Sequence, residues 1–327
     1  MPYQMPFKSL LTPGHTACAG CGEILAMRHV LDAAGANTII AGATGCGEVT
    51  TSKYPTSSFR VPWIHANFEN ASAVASGILA AMRYRCNEAS KHRSNESKAQ
   101  EISEPVNQLT SPEGAPSGST NLIAWGGDGA TFDIGLGLIS GSWERRENIL
   151  YVCFDNEAYM NTGVQASGST PIDANTTTSE PGAKSMGNSL QKKDMVRIAL
   201  AHDCVYVATA TVGNVLDIEA KVKKALSMTG PKYLQILVTC VPGWYTDAKD
   251  TIKVARLAQQ TGIYPVVEYV DGKLVNVAKC PRPRSSVEEY LKLQGRFKHL
   301  FKDEKGATEI KRIQEKAEEN VRKYNLQ

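Results

Sequence analysis

The sequence predicts an α/β domain in which helices pack on both faces of a mostly parallel sheet. Three observations lead there. Short apolar runs recur along the chain without polar alternation, as in strands buried on both faces. Helical patterns separate those runs, the order expected of β-α-β units. Glycine-rich motifs bearing Cys, Asp or Asn follow several of the runs, at the strand ends where ligands of such sheets bind.

Taken in order, residues 23–34 carry helical periodicity and residues 38–43 read as a strand. A second helix spans 69–84, and strands are expected at 121–125 and 149–154 with a helix over 131–143 between them. The pattern continues with a helix at 194–202, a strand at 204–209, a helix at 215–228 and a strand at 233–241. A further helix covers 248–261. Residues 264–270 and 273–277 flank Asp271-Gly272, a favoured hairpin turn. After Pro281-Arg-Pro283 the chain turns charged and helical, with Ile310, Ile313, Ala317, Val321 and Tyr324 at three- and four-residue steps. That stripe either covers its own domain or docks on a partner. Residues 87–120 interrupt the order. They are polar, lack aromatic side chains and read as a solvated insertion, a mobile loop or a docking arm.

Bulk properties exclude several classes. A chain of 327 residues with 42% hydrophobic content can bury a sizeable core. Thirty-six basic residues against 33 acidic ones leave a net charge of +3, which gives no case for nucleic acid. Eight cysteines are too few for a disulfide scaffold. No apolar run has the length of a membrane span, and residues 1–8 lack the apolar stretch of a signal peptide. A cytoplasmic protein with reduced thiols and no membrane contact is expected.

Four cysteines stand in ligand-like contexts. Cys18 and Cys21 form a Cys-X-X-Cys within Gly14-His-Thr-Ala-Cys-Ala-Gly-Cys-Gly-Glu23. Cys46 lies in Thr44-Gly-Cys-Gly-Glu48, and Cys240 precedes Val241-Pro-Gly-Trp244. Thiolate sulfur is soft, so four such groups meeting in space suit either an iron–sulfur cluster or zinc. A second motif is oxygen-rich. Gly126-Gly-Asp-Gly129 follows a strand and opens a helix, and Asn156 comes after a spacer of 26 residues, 130–155. One β-α-β unit would bring Asp128 and Asn156 to neighbouring strand ends. Mg²⁺ takes hard oxygen donors and shares them with phosphates, while glycines and a helix N-terminus admit a diphosphate.

The Gly-Asp-Gly…Asn pair resembles the signature of thiamine diphosphate-dependent enzymes. Its continuation, Asp155-Asn-Glu-Ala-Tyr-Met-Asn-Thr-Gly-Val-Gln165, joins the three cysteine motifs in a more specific likeness. From about Gly14 to Leu300, the insertion apart, the chain resembles the β subunits of pyruvate:ferredoxin oxidoreductase (pyruvate synthase).

That resemblance implies a three-layer thiamine diphosphate-binding fold. Residues 1–270 would form the binding domain with its insertion, and 271–327 a hairpin strand and helical extension. It implies a [4Fe–4S] cluster on Cys18, Cys21, Cys46 and Cys240, and Mg²⁺ on Asp128, Asn156 and the carbonyl of Ala158. It assigns thiamine diphosphate contacts to Glu23, Cys46, Gly127, Asp128, Gly129, Ala130, Asn156, Glu157, Ala158, Tyr159, Met160 and Asn161. Asn161 matches a family residue close to the reacting carbon. Asn156 stands where relatives can carry threonine, an oxygen-for-oxygen exchange. The implied reaction is the reversible oxidative decarboxylation of pyruvate with coenzyme A to acetyl-coenzyme A and CO₂. Electrons would pass from the thiamine through the cluster to ferredoxin. The same chemistry on 2-oxoisovalerate, 2-oxoglutarate or oxalate is the alternative. The glutamate that activates thiamine belongs to another chain in this family. Partner subunits are therefore implied: an α chain supplying it, a γ chain and a ferredoxin-like δ chain.

Outside the motifs, Cys153 and Cys204 read as core, and Cys280 as an alternative to Cys240. Cys86 has no motif around it. His15 and His65 read as loop or phosphate hydrogen-bonding residues, Arg60 as a phosphate, carboxylate or surface partner. Thr176-Thr-Thr178 reads as loop, or as the wall of a channel for coenzyme A.

Overall fold

The computed structural model describes residues 9–96 and 120–327. Its sheet holds β1 (Thr38–Ala43), β2 (Trp63–Ala66), β3 (Asn121–Gly127), β4 (Leu150–Asp155), β5 (Tyr206–Thr211), β6 (Lys232–Leu237), β7 (Val267–Val270) and β8 (Lys273–Val277). The order across the sheet is β2-β1-β3-β4-β6-β5-β7-β8. The first six strands run parallel, while β7 is antiparallel to β5 and β8 closes the hairpin. β4, β5 and β6 are buried at every residue, which is why their sequences do not alternate.

Register divides the core into two layers. Ile40, Ile123 and Leu150 stand side by side and face α1 (Gly22–Ala34) and α6 (Val215–Leu226). One residue on, Ala41, Ala124, Tyr151, Tyr233 and Val207 face the other way. They pack on α3 (Ala71–Glu96), α4 (Leu136–Glu144) and α5 (Met195–Ala201). This is the expected α/β sandwich of helix, sheet and helix.

A third cluster forms around Leu237 at the carboxyl end of β6. Trp244 of α7 (Val241–Trp244) and Val254 of α8 (Thr251–Gln260) pack there with Tyr290 of α9 (Val287–Lys292) and Phe297. Ile313 and Ala317 of α10 (Glu304–Tyr324) join them. The C-terminal stripe thus covers its own chain. Asp303 caps α10 by accepting from Gly306 N at 2.9 Å.

Several boundaries differ from the sequence reading, each for a local reason. α3 runs on to Glu96, so the polar segment begins as helix; its Arg, Glu, Lys and Ala residues are good helix formers. The expectation for the rest of that segment lies outside the described residues. β2 and α2 (Cys46–Thr51) were not foreseen, being too short to show a period. The helix expected from 131 opens as a π-turn, Gly129–Ile134, in which Gly135 N donates to Ala130 O at 2.9 Å. A Cβ on Gly135 would meet that carbonyl at 2.4 Å and Glu69 O at 2.7 Å. β6 stops at Leu237 rather than 241, because α7 begins there with Cys240 as its N-cap. Among the described residues, no helix is long and apolar enough to cross a membrane.

Candidate active site

Four crossings deliver their turns to one edge of the sheet. β1 leads to Thr44, Gly45 and α2, which opens at Cys46. β3 ends on Gly127, and Asp128 begins the π-turn. β4 ends on Asp155, and past β6 the chain reaches Cys240. The amino end of α1 meets this edge because Gly22 has no side chain. A Cβ there would stand 2.6 Å from Thr239 N, and Gly22 N donates to Thr239 O at 3.0 Å. That main-chain contact sets Cys21 beside Cys240.

A small cavity opens among these turns. Glu23, Thr44, Cys46 and Phe68 line it, together with residues 127–130, Asn156 and residues 158–162. Almost every residue expected to touch the cofactor is therefore on one wall, including Tyr159, Met160 and Asn161. The Glu157 side chain is placed otherwise. It turns behind the loop, with its backbone at a φ of +68°, and its carboxylate meets Lys192 and Arg296.

Three oxygens converge at the cavity floor. One end of the Asn156 amide lies 2.8 Å from Ala158 O and 2.9 Å from Asp128 Oδ1. The nitrogen at its other end lies 3.4 Å from Glu23 Oε2. With its oxygen on the floor, Asn156 donates to Glu23 and completes a three-oxygen set. Neighbouring ligands of octahedral Mg²⁺, at about 2.0–2.1 Å from the ion, stand about 2.9 Å apart. Turned over, the amide donates to both oxygens and closes the set by itself. These residues fit a hard divalent cation.

The electrostatics are those of a site that wants positive charge. Burial, then the nearby Asp155, pushes the Asp128 carboxyl well above the usual range, although Ser167 Oγ donates to it at 2.5 Å. Burial lifts Glu23 to about 7, against a hydrogen bond from the Gly47 amide. A divalent cation on the three-oxygen floor would hold these carboxylates ionised.

The four motif cysteines gather beside this floor. Burial is the first cause that raises the Cys46 thiol far above its ordinary value; Glu23 and the thiols of Cys240, Cys21 and Cys18 add to it. Burial likewise raises Cys21 to about 11 and Cys240 to about 12. Thiols raised in this way stay protonated alone, whereas a bound metal takes them as thiolates. Among the described residues, no three His, Cys, Asp or Glu side chains converge as donors to a single ion. A cubane asks for something else, one thiolate on each of four irons. The donor set fits a cluster.

The remaining cysteines lie elsewhere. Cys153 and Cys204 are core, and Cys280 packs with Val321 and Leu326. Cys86 is exposed on α3. His65 Nε2 pairs with Thr44 Oγ1 at 2.6 Å beside the cavity, and His15 Nδ1 is buried without a partner. Burial, then Arg28, lowers the His15 pKa. Arg60 precedes β2, its amide donating to Leu10 O at 3.0 Å. Thr176 pairs with Ser179 in a turn-rich stretch.

Comparison with known proteins gives the family. The family profile "Thiamine pyrophosphate enzyme, C-terminal TPP binding domain" matches residues 111–236. "Pyruvate synthase subunit PorB" of Methanosarcina barkeri is 44% identical over 320 residues, covering 98% of each chain. The chain belongs to the family of the pyruvate synthase PorB subunits. It thus carries a thiamine diphosphate-binding domain. The PorB likeness extends to "Ketoisovalerate oxidoreductase subunit VorB" of Pyrococcus abyssi, 38% identical over 92% of this chain and 89% of that one. A solved 2-oxoglutarate:ferredoxin oxidoreductase from Magnetococcus marinus shares the PorB-family fold. It has a TM-score of 0.54 and 20% identity, covering 78% of this chain and 81% of that one.

A buried ionic group also shapes this PorB-family site. Asp155 is fully buried and bound by Ser169 Oγ (2.5 Å), Gln235 Nε2 (2.7 Å) and Lys192 Nζ (2.6 Å). Lys192 also reaches Glu157 Oε1 at 2.9 Å, and Arg296 Nη2 reaches Glu157 Oε2 at 2.6 Å. Burial pushes Glu157 up, but Lys192 and Arg296 outweigh it and hold the carboxyl below its usual range. Burial opposes the Lys192 ammonium, and Asp155 and Glu157 override it. Neither Lys192 nor Arg296 stands in a motif, so only the folded chain reveals them.

Proposed function

We propose that this chain is the thiamine- and cluster-binding β subunit of a pyruvate:ferredoxin oxidoreductase. The reaction is pyruvate, coenzyme A and two oxidised ferredoxins to acetyl-coenzyme A, CO₂, two reduced ferredoxins and one proton, and it is reversible. The observation that carries the reading is the shared edge. A hard three-oxygen floor and four soft thiols meet there, with Glu23 touching the first and acting electrostatically on the second.

In this reading Asp128, Asn156 Oδ1 and Ala158 O hold Mg²⁺, and the main chain at 127–130 receives the diphosphate. Thiamine diphosphate, when bound, supplies a nucleophilic carbon for the keto group and a sink for the electrons freed on decarboxylation. Cys18, Cys21, Cys46 and Cys240 hold a [4Fe–4S] cluster, which supplies one-electron transfer. Glu23 keeps the Asn156 oxygen on the floor by accepting from its nitrogen. Asn161, on the cavity wall, offers an amide to the substrate. Burial of Asp128 and Ala158 keeps bulk water from the cation-binding floor.

Partners complete the enzyme. An α subunit brings the thiamine-activating glutamate, a γ subunit joins the assembly, and a ferredoxin-like δ subunit carries electrons to ferredoxin. The relatives' names, each a "subunit", support an assembly of this kind.

Pyruvate is favoured because the relatives at 44% identity are named for it, and a branched 2-oxoacid is the second reading because of the VorB relative at 38%. An anaerobic assay of the complex with coenzyme A and ferredoxin decides between them. A kcat/KM at least tenfold higher for pyruvate than for 2-oxoisovalerate supports the first reading; the reverse ratio replaces it with the second.

A further inference from the structure

We propose that Arg296 is a positioning residue that locks the turn at 156–158 to the turn at 240–244, fixing the two halves of the site relative to each other. This rests on the reading of 156–158 as the cation-binding turn. Arg296 lies in the 3₁₀ turn Gly295–Phe301, 139 residues from Glu157 in sequence, and only 2% of it is exposed. The edge of its guanidinium holds one turn, through Nη2 to Glu157 Oε2 at 2.6 Å. Its face holds the other, with Cζ 3.9 Å over the ring of Trp244. Gln294 Oε1 accepts from Nε at 3.0 Å and from Nη2 at 2.7 Å, which fixes the plane.

The two grips meet at the site. Trp244 Nε1 donates to the carbonyl of Asn156 at 2.7 Å, and Trp244 ends the helical turn that Cys240 caps. Glu157, gripped by Arg296, lies between Asn156 and Ala158 in a left-handed conformation that a glutamate rarely adopts. Without Arg296 only Lys192, through Oε1 at 2.9 Å, would hold its carboxylate, and that backbone could relax and carry both proposed cation ligands with it. The charges are balanced, Lys192 and Arg296 against Asp155 and Glu157, as a buried ionic group requires. Only arginine offers a flat face for the indole and a forked edge for the carboxylate. Simple anchoring of the C-terminal segment is already provided by apolar contacts of Phe297 and Leu300.

The test uses the assembled complex, purified without oxygen and stripped with a chelator, then titrated calorimetrically with thiamine diphosphate at fixed Mg²⁺. Arg296→Met should raise the Kd about 10–100-fold, the range for residues that orient metal ligands. Trp244→Phe keeps the stack but loses the hydrogen bond to Asn156, and should raise the Kd less. The double variant should be no worse than Arg296→Met, since both act through one device. Arg312→Met is the control. Arg312 ties α10 to Asp173 at 3.0 Å without touching either turn, so its Kd should stay within twofold of wild type. A Kd within twofold for Arg296→Met, or an equal loss in Arg312→Met, overturns the proposal. If Arg296→Met does not assemble, Arg296→Lys and Trp244→Phe decide: both weaker than wild type supports it, both equal to wild type overturns it. A wild-type complex that binds no thiamine diphosphate would overturn the functional reading itself.

Discussion

The carboxylate of Glu23 lies 3.4 Å from the side-chain nitrogen of Asn156, so the first turn of α1, just past the Cys-X-X-Cys, steadies a residue of the proposed cation turn. Removing it leaves the Asn156 amide free to turn its nitrogen onto Ala158 O and Asp128. Glu23→Ala should therefore weaken Mg²⁺-dependent binding of thiamine diphosphate about tenfold. Calorimetry on the stripped complex reads this; an unchanged Kd would remove Glu23 from the orienting role.

Asp128 contributes the only formal charge of the three-oxygen floor. Asp128→Ala should abolish saturable binding of thiamine diphosphate at millimolar Mg²⁺ while the circular dichroism spectrum stays that of wild type. The carboxyl is buried and protonation-prone, so the fold loses little with it. Wild-type affinity in this variant would contradict the assignment.

Gly22 and Gly77 make a pair with opposite expectations. At Gly22 a methyl group would press into Thr239 N at 2.6 Å, so Gly22→Ala should cost about 1–3 kcal/mol and lower the iron content. At Gly77, on the exposed face of α3, nothing lies within 4 Å, so Gly77→Ala should be neutral or stabilise by up to about 1 kcal/mol. Thermal unfolding and iron analysis of both variants check the contrast.

Lys232 predicts a pH dependence remote from the site. Burial lowers its pKa from 10.5 to about 8, although Met228 O accepts from its ammonium at 3.0 Å. Between those values the unfolded chain holds the proton and the folded one does not. Stability from this group is complete above about pH 10.5, falls as pH drops towards 8, and is flat below. The deficit at pH 7 is about 3 kcal/mol. Lys232→Met should thus gain most over wild type at pH 7 and lose most of that advantage by pH 10. A stability difference independent of pH would contradict it.

Most of the fold was legible because buried parallel strands announce themselves as unalternating apolar runs, such as 38–43 and 149–154. Trp63–Ala66 was not legible: four residues, two of them exposed, show no period. The end of β6 was misplaced because Val238 and Thr239 are as apolar or β-branched as the strand before them; Val238 N makes a last bond to Asp155 O, and Thr239 then turns to meet Gly22. At the site, the proposed ligand residues stand in local motifs, which is why the resemblance could name them. Glu157 was read as a cofactor contact because it sits inside the motif; buried cations from distant segments draw its side chain behind the loop. Lys192 and Arg296 could not be found from the sequence, since their roles exist only through contacts across the fold.

The central claim is that a [4Fe–4S] cluster and thiamine diphosphate share the edge where β1, β3, β4 and β6 end. The direct test is the iron, sulfide, zinc and thiamine content of the complex purified without oxygen, with wild-type chain and with Cys46→Ala. The account predicts that thiamine diphosphate is present and that the substitution removes about four irons and four sulfides per chain. About one zinc per chain, with no thiamine and no iron lost, would contradict it.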